Sequence, residues 1–453
     1  MMKIIWLPLL VLTACASAPV QTKTGPKADI KNKQTPPVQT AQTTDLRPAT
    51  HGIQQNHTQT TATPPHPAQR VQDQMTQKQG FTAWKQDFIT RALAKGYAPD
   101  LVNATIGAAK INPKAIHKDR NQPEHNRMIW NYVDNVTSKA RLDGGQKKLT
   151  EHAALFSKIE NMYGVDRYIL TAIWGLESLY GDMQGDDNMI DSLSTLAFDG
   201  RRRKFAENQL YAILDLLARG DVRKDQLIGS WAGAMGMTQF IPSTFRDYAV
   251  DWNADSNKDL WANAGDALAS TANYLNRFGW RPSEPVIVEV NIPKGFNFNT
   301  LEDGKKTVSA WSGLGILPVG GQNWSKQAVF LEAKLLLPAG IKGPAFLSFK
   351  NFDVIKKYNN STSYALGIEV LAQAFQAHKA IIRDWPRTDK PLDRAQRKAL
   401  QAALTKQGYD TGGIDGLLGR KSRQAVRAWQ KARNLPADGY VNLALLKQIL
   451  KNP

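Results

Sequence analysis

The sequence has 453 residues but a single cysteine, Cys15, so disulfide bonds cannot hold the fold of this chain together. One cysteine also excludes every zinc site that needs paired thiolates. No G-x-S-x-G, P-loop, G-x-G-x-x-G or H-E-x-x-H pattern is present, and three of the seven histidines precede residue 80. These absences argue against a serine-hydrolase elbow, the common nucleotide-binding loops and a metal-hydrolase site.

Aromatic residues are absent from Ala16 to Gly80, where Gln, Thr and Pro predominate. A segment of this composition cannot bury enough apolar area to offset the entropy that ordering costs. We therefore predict a disordered tether over residues 15–78. About 60 flexible residues have a root-mean-square reach of about 40 Å, which would let an anchored domain search the volume around its anchor.

The first apolar run, Ile4 to Leu12, follows Lys3 and is too short to span a bilayer as a helix. It matches the apolar region of a secretory signal peptide. The sequence Leu12-Thr13-Ala14-Cys15 resembles the lipobox of bacterial lipoproteins, in which the cysteine becomes the lipid-modified first residue. The resemblance implies a signal peptide over 1–14 and an acylated Cys15. Ala16 stands where an inner-membrane retention signal usually has Asp, so we expect anchoring in outer-membrane lipid, facing the periplasm. An ordinary signal peptide with a chance cysteine is the alternative.

Basic residues outnumber acidic ones, and the formal net charge is +18. Such a charge predicts an anionic partner, which nucleic acid, an acidic lipid surface or a carboxylate-rich wall polymer would each satisfy. From Lys390 onward there are 13 Lys or Arg, 4 Asp and no Glu, so this short region carries +9. The lipobox argues against nucleic acid, because it directs the chain out of the cytoplasm.

Apolar spacing beyond residue 80 predicts a mainly α (α+β) fold. Helical periodicity covers 81–93, 153–163, 168–180, 209–217, 264–278 and 364–382. Short strands are predicted at 286–290, 328–337 and 345–349, between Gly and Pro turns. We interpret 79–386 as one helical domain with a small β-rich insert. After a charged linker over 383–391, residues 391–451 form a separate unit with helices at 392–406, 422–433 and 443–450.

The strongest chemical signal is Glu177, within I-W-G-L-E-S-L-Y-G. With Asp166 as the N-cap and Gly181 as the C-cap, this residue falls in the last turn of a helix. Trp174 and Tyr180 lie three residues away on either side, at helical spacing. A carboxylate among such groups loses hydration in its charged form, which predicts a raised pKa and a usable proton donor near neutral pH. A buried glutamate paired with an arginine fits this segment equally well.

A second signal is the run from Ser230 to Ser243, S-W-A-G-A-M-G-M-T-Q-F-I-P-S. Its small residues allow the backbone to approach a ligand closely. Gln239 offers an amide donor and acceptor suited to sugar hydroxyl and N-acetyl groups. A glycine-rich helix contact without a ligand is the alternative.

These segments together resemble the lytic murein transglycosylase B family of the lysozyme-like superfamily. N-F-D-V-I-K-K-Y-N at 351–359 is similar to a third element of that family, and the resemblance covers about 80–385. It implies a lysozyme-like catalytic domain that acts on peptidoglycan glycan strands without a required cofactor, with Glu177 as catalytic acid and base. The positions that match residues lining the family's pocket are Ser230, Gln239, Tyr358, Asn359, Tyr364, Tyr274, Tyr132, Arg201 and Arg202.

The resemblance also implies a mechanism with one carboxyl group. Two-carboxylate glycosidases need a second acid about 5–9 Å from the first. The family pattern places no Asp or Glu in that role, although Asp182, Asp186, Asp187 and Asp191 lie close to Glu177 in sequence. The expected product is 1,6-anhydro-N-acetylmuramic acid. The alternatives are a hydrolytic muramidase and a non-catalytic, peptidoglycan-binding lipoprotein.

An acidic segment resembles the calcium loop that some family members carry, with oxygen-bearing side chains at alternate positions. The candidate metal ligands are Asp251, Asn253, Asp255, Asn257 and, from further along the chain, Asp266. Two positions depart from the pattern, since Ser256 replaces the turn glycine and Ala262 replaces the closing glutamate. Structural calcium and a metal-free turn that caps a helix are both compatible with these residues.

The C-terminal unit is similar to the three-helix peptidoglycan-binding domain appended to many wall hydrolases. Its Gly408–Gly419 loop, the A-V-R-A-W-Q segment at 425–430 and the Asp438-Gly439 turn carry this resemblance. Basic helices here would suit the carboxylates of stem peptides, although a single Lys or Arg more often belongs to a solvated face.

Overall fold

The computed structural model describes residues 67–120, 128–321, 323–379 and 381–451. Outside the described residues lie the predicted signal peptide, Cys15 and residues 15–66 of the predicted tether. Residues 80–453 belong to one compact unit. No described helix is both long and apolar enough to cross a membrane.

Helices form most of the region before the small sheet. They are α1 (Pro67–Ala94), α2 (Pro99–Val102), α3 (Pro113–Arg120), α4 (Ile129–Val136), α5 (Lys139–Glu151), α6 (Ala153–Tyr163), α7 (Arg167–Ser178), α8 (Met189–Asp199), α9 (Arg203–Arg219), α10 (Pro242–Tyr248) and α11 (Ala264–Arg277). Side-chain caps start several of them. Asp166 accepts from the Tyr168 N–H at α7, and Asn263 accepts from the Gly265 N–H at α11. These caps satisfy backbone donors that have no partner within the helix.

Helix α7 lies at the centre of this domain. Every residue from Ile169 to Ser178 is buried, so the helix is surrounded by protein on all sides. It packs against α5 and against α14 (Thr362–Phe375), which follows α13 (Lys350–Tyr358). A helix buried all round holds its side chains in fixed directions, because close packing leaves few rotamers open.

The predicted β-rich insert lies between α11 and α13. Its sheet has the antiparallel order β4-β6-β7-β3-β5, from β3 (Ile287–Asn291), β4 (Lys306–Thr307), β5 (Leu317–Pro318), β6 (Glu332–Leu336) and β7 (Ala345–Ser348). Helix α12 (Val308–Gly313) belongs to the insert, and its Trp311 is fully buried in a separate apolar core. A two-stranded pair, β1 (Asp187–Asn188) with β2 (Ile228–Gly229), lies earlier in the chain.

Three helices form the C-terminal unit, as predicted: α15 (Arg394–Lys406), α16 (Arg420–Lys431) and α17 (Leu443–Lys451). They enclose their own apolar core around Trp429 and Leu400. The Trp429 indole N–H donates to Gln407, and the Arg433 guanidinium lies 4.3 Å from its ring centroid. The Asp438 carboxylate accepts from the Ile341 N–H at 2.9 Å, which ties this unit to the chain leaving β6.

Several helix boundaries differ from the sequence prediction; α9, for example, covers Arg203–Arg219 rather than 209–217. Helix α1 begins at Pro67, so residues 67–78 are helical and the prediction of a tether there is wrong. Gln, Lys and Met have good helix propensity, and they extend a helix at little cost once it is nucleated. Helix α14 ends at Phe375 rather than at 382, because Ala377 adopts a positive φ of 57°. Helix α7 is capped by Leu179, not by Gly181.

A buried carboxyl group on α14 predicts a pH-dependent stability. Burial raises the pKa of Glu369 from its ordinary 4.5 to about 7. The hydrogen bond from Gln373 lowers this pKa, and the charge of Asp166 raises it further. The folded state therefore holds this proton more tightly than the unfolded state, and stability falls as pH rises from about 4.5 through about 7. The effect is on the order of 3–4 kcal/mol, at about 1.4 kcal/mol per pKa unit.

We expect Glu369→Gln to raise the unfolding temperature by a few degrees at pH 8 and to leave it nearly unchanged at pH 4.5, measured by calorimetry. The amide removes the charge but can still accept from Gln373. Glu332→Gln, an exposed change on β6, is the matched control. A gain of equal size at both pH values would contradict this origin.

Candidate active site

Glu177 lies on the last turn of α7 and is 5% exposed. Its Oε1 accepts a hydrogen bond of 2.6 Å from the hydroxyl of Tyr364, which is 1% exposed on the first turn of α14. Burial, followed by the nearby charge of Glu177, raises the pKa of Tyr364 well above its usual range. The tyrosine therefore stays protonated at physiological pH, and its hydroxyl donates to Oε1 of the Glu177 carboxyl group.

Two further predicted tyrosines form an aromatic wall beside this pair. Tyr274 and Tyr358 meet edge to face with ring centroids 5.3 Å apart, and each lies 5.9 Å from the Phe240 ring. The Tyr358 hydroxyl donates to the carbonyl of Thr238, and the Tyr274 hydroxyl donates to the carbonyl of Lys357 at 2.7 Å. Burial and then the charge of Glu177 raise the pKa of Tyr358, which places it within electrostatic reach of the carboxyl group.

The small-residue run forms a tight loop after β2. The Ser230 Oγ accepts from the Ala234 N–H at 3.0 Å, and the Ser230 N–H donates to the Ala234 carbonyl at 2.7 Å. A Cβ at Gly236, where φ is 74°, would lie 2.6 Å from the Leu260 carbonyl oxygen. Added Cβ atoms at Gly185 and Gly229 would likewise overlap backbone atoms of neighbouring segments. These glycines are thus required for close approach between backbone segments of the protein itself.

Gln239 ends this loop and is 7% exposed with a positive φ of 51°. Its amide nitrogen donates to the carbonyls of Gln184 at 3.0 Å and Gly236 at 2.9 Å. The side chain therefore joins the loop to the segment that follows α7. In this conformation both of its donors support the walls of the site, and the amide oxygen remains the group suited to a sugar donor.

The predicted arginine pair is organised by a residue that sequence reasoning missed. Asp119, 1% exposed by side chain, accepts from Arg201 at 2.5 Å and forms an ion pair with Arg202 at 2.8 Å. Arg202 also lies 5.9 Å from the Trp231 ring centroid, beside Ser230. Asp119 thus offsets part of the charge of the arginine pair, and Asp199 also acts on Arg201 electrostatically. No spacing rule links residues 82 positions apart, so only the fold reveals the contact.

The remaining predicted positions, Tyr132 and Asn359, lie on, or at the end of, helices that pack around the Glu177–Tyr364 pair. Tyr132 packs against α14, since a Cβ at Gly367 would lie 2.9 Å from its ring. The charge of Tyr132 also raises the pKa of Tyr364, which places the two tyrosines close together. Asn359 is buried at the end of α13. Asn351, the first residue of the N-F-D-V-I-K-K-Y-N element, instead binds the chain before β3 through the Arg281 N–H and the Arg281 and Glu284 carbonyls.

The neighbouring acids do not supply a partner for Glu177. Asp187 forms an ion pair with Lys118 at 3.0 Å, and Asp191 accepts from the Lys110 N–H at 2.8 Å. Asp182 and Asp186 are exposed. Each of these four carboxylates is engaged elsewhere or faces solvent, which agrees with a mechanism built on one carboxyl group.

The candidate calcium loop is closed by its own hydrogen bonds. Asp251 accepts from the Asp255 and Ser256 N–H groups, and Asp255 accepts from the Asn257 N–H and the Asn253 amide. Asp266, which was to close a metal site, is fully buried and accepts from the Trp252 and Asp259 N–H groups at 2.8 Å each. Among the described residues no three acidic, His or Cys side chains converge as metal ligands. The residues as arranged form a capped turn, in which backbone N–H groups hold the Asp251 and Asp266 carboxylates.

Known proteins share this architecture. Residues 80–373 match the transglycosylase SLT domain family, and residues 393–449 match the putative peptidoglycan binding domain family. Membrane-bound lytic murein transglycosylase B of Escherichia coli K12 is 29% identical over 317 residues, which are 68% of this chain and 82% of that protein.

Solved structures extend the comparison. SltB3 of Pseudomonas aeruginosa, in complex with NAG-anhNAM-pentapeptide, is 42% identical and superposes with a TM-score of 0.78 over 82% of this chain and 99% of its own. Escherichia coli Slt35 in complex with calcium is 28% identical, with a TM-score of 0.55 over 65% of this chain and 93% of its own. The lysozyme-like fold, the small sheet and the C-terminal helical domain are thereby confirmed. The chain belongs to the transglycosylase SLT domain family, the family of the peptidoglycan lytic transglycosylases.

Proposed function

We propose that this protein cleaves the β-1,4 bond between N-acetylmuramic acid and N-acetylglucosamine in peptidoglycan and leaves a 1,6-anhydro-N-acetylmuramic acid end, in cell-wall remodelling or turnover. The observation that carries the proposal is the buried Glu177 carboxyl group held by the Tyr364 hydroxyl at 2.6 Å. SltB3, solved with NAG-NAM-pentapeptide as well as with the anhydro compound, supports the same substrate class for this chain.

In this proposal Glu177 acts twice. Its protonated carboxyl group first gives a proton to the oxygen that links the two sugars, and the bond to the muramoyl C1 breaks. The substrate's own N-acetyl group stabilises the positive charge at C1. The ionised carboxylate then takes the proton of the muramoyl C6 hydroxyl, whose oxygen attacks C1. Because this attack is intramolecular, it has a large effective-concentration advantage over water.

The surrounding residues support these steps. The Tyr364 hydrogen bond orients the carboxyl group in both steps. The partly buried Tyr358 ring offers a surface on which a pyranose ring stacks, and the buried Tyr274 ring supports it. Ser230, Gln239 and Asn359 provide polar groups for the N-acetyl and hydroxyl substituents. The Arg201–Arg202 pair lies where an anionic stem peptide would be attracted.

Product mass decides between this reaction and a hydrolytic muramidase. We expect purified glycan strands to yield muropeptides with anhydro ends, one water lighter than hydrolysis products, in liquid chromatography with mass spectrometry. Digestion of the same strands by a hydrolytic muramidase is the control for hydrated ends. Only hydrated, reducing ends from this enzyme would contradict the proposal and favour the muramidase. An absence of any cleavage by the folded protein would favour the non-catalytic lipoprotein.

The C-terminal domain serves the same substrate in this proposal. Its match to the putative peptidoglycan binding domain family and its +9 charge support attachment to the anionic, carboxylate-bearing wall. The Asp438 contact with the Ile341 N–H keeps it close to the catalytic domain. Binding by this domain would raise the local concentration of glycan strands at the cleft.

We also propose that Cys15 is acylated and anchors the enzyme in the outer membrane, facing the periplasm. The lipobox-like sequence and the membrane-bound name of the Escherichia coli relative support this location. In cells fed a fatty-acid probe, we expect the wild type to be labelled and to sediment with membranes. Cys15→Ser should lose both properties. Equal labelling and equal membrane retention of the two proteins would contradict the anchor.

A further inference from the structure

The chain leaves the Glu177 helix through an unusual turn. Leu179 and Tyr180 have positive φ angles of 50° and 63°, and Gly181 follows at 98°. Left-handed backbone is unfavourable for a residue with a Cβ, and helices usually end on a single left-handed glycine instead. Two such residues in succession persist only where the surrounding contacts fix them. The contacts of this turn therefore indicate what it is for.

The turn directs the Tyr180 side chain toward α5. Its hydroxyl donates to the Arg141 carbonyl at 2.5 Å, and its ring meets Trp174 edge to face, with centroids 5.8 Å apart. A Cβ at Gly144 would lie 2.7 Å from the ring, and one at Gly175 would lie 2.6 Å from the hydroxyl. Gly145 comes equally close to the hydroxyl. These three glycines, which we term the glycine seat, leave room for the Tyr180 ring, and Gly145 also leaves room for the Phe375 ring.

The same turn is tied to the substrate loop on its other side. The Ser178 hydroxyl donates to the Met237 carbonyl at 2.5 Å and accepts from the Gly181 N–H at 2.9 Å. Arg141 also donates from Nε to the Gly175 carbonyl at 3.3 Å. The chain around Glu177 is thus held at two places. Gly175 and Tyr180 bind Arg141 of α5, and Ser178 binds the loop that contains Gln239.

We propose that Tyr180 is a positioning residue for the transglycosylase reaction. Its ring fills the glycine seat and so fixes the turn after α7. The fixed turn keeps the Glu177 carboxyl group directed toward Tyr364. The inference rests on the proposed role of Glu177. A single carboxyl group must give a proton at one oxygen and take one from another, so its placement is demanding. A displacement of about 1 Å can cost about 100-fold in rate. A tyrosine that only filled the core would not require two consecutive left-handed residues.

The test is a kinetic comparison of Tyr180→Leu with Tyr180→Phe. We expect Tyr180→Leu to lower kcat by about 100-fold and to keep KM within twofold of wild type. The pH profile of kcat should also change, because the Glu177 carboxyl group no longer accepts the hydrogen bond from Tyr364. Tyr180→Phe keeps the ring in the seat and should retain kcat within about fivefold. Tyr97→Leu is the matched control, since Tyr97 is partly buried and donates to the Asp215 carboxylate at 2.7 Å, away from Glu177. It should lower the unfolding temperature and leave kcat unchanged.

A folded Tyr180→Leu enzyme with wild-type kcat and pH profile would overturn the inference, as would an equal loss of kcat in Tyr97→Leu. If Tyr180→Leu does not fold, Gly144→Ala decides, because its new Cβ would press on the Tyr180 ring. We expect a fall of about tenfold in its kcat and none in Gly313→Ala, where a Cβ meets nothing within 4 Å. Wild-type kcat in Gly144→Ala would overturn the inference. Glu177→Gln separates the two hypotheses: if it stays active, the proposed role of Glu177 fails instead.

Discussion

Glu177→Gln should abolish glycan cleavage, with at least a 1,000-fold loss of kcat, while the protein keeps its fold. The amide has nearly the shape of the carboxyl group and can still accept from Tyr364, but it can neither give the first proton nor take the second. General acid–base catalysis contributes about 100- to 10,000-fold for each residue, and here one residue supplies both steps. Release of soluble muropeptides from purified peptidoglycan measures the loss.

Glu369→Gln is the matched control for this experiment. Both glutamates are 5% exposed, and Glu369 lies on α14, the helix that also carries Tyr364. The control should stay active, because Glu369 faces Gln373 rather than the cleft. Circular dichroism and unfolding temperatures of both variants establish that they are folded. Full activity of Glu177→Gln would remove the catalytic assignment, and loss of activity in both variants would point to a general effect of charge removal on the fold.

Tyr364→Phe should lower kcat by about 10- to 100-fold and change KM little. The substitution removes one hydroxyl group and thereby the 2.6 Å hydrogen bond to Glu177. Hydrogen bonds to charged groups contribute about 1.5–3 kcal/mol, which corresponds to this range of rates. The bond is present in the free enzyme and orients the carboxyl group in every step, so its loss should affect turnover rather than substrate affinity.

Tyr97→Phe provides the comparison for Tyr364→Phe. The Tyr97 hydroxyl also donates to a carboxylate, that of Asp215, at 2.7 Å and in the same domain. Its removal should cost a similar amount of stability without a change in kcat. Initial rates on defined glycan strands, together with unfolding temperatures, distinguish the two effects. Equal kcat values for Tyr364→Phe and wild type would show that the tyrosine does not act on Glu177.

Local patterns in the sequence predicted most of the architecture. The apolar periodicity located α7, and Asp166 was identified as its cap because a capping side chain acts within a few residues. The strands of the insert and the three C-terminal helices followed from alternation and turn residues. The cleft residues came from the family resemblance, which depends on short segments that each fold locally.

Contacts between distant segments could not be predicted in this way. The Asp119 pairing with Arg201 and Arg202 joins α3 to the start of α9, and no local rule links them. Gly181 was the expected helix cap because glycine is the usual left-handed residue. The structure instead caps α7 with Leu179, and the next residue, Tyr180, lies in the glycine seat formed by Gly144 and Gly145 of α5 and Gly175 of α7. For Asp266, only the fold shows that the side chain is buried and accepts from the Trp252 and Asp259 N–H groups.

The close backbone contacts at Gly185, Gly229 and Gly236 have a consequence for inhibition. Any side chain at these positions would overlap main-chain atoms, which cannot move aside as a flexible side chain can. Single substitutions at these three glycines therefore cannot add a side chain to the backbone surface beside Ser230 and Gln239 without disturbing the fold. A compound that draws its affinity from the amide and carbonyl groups of this loop would bind a surface from which resistance by point mutation is difficult to obtain.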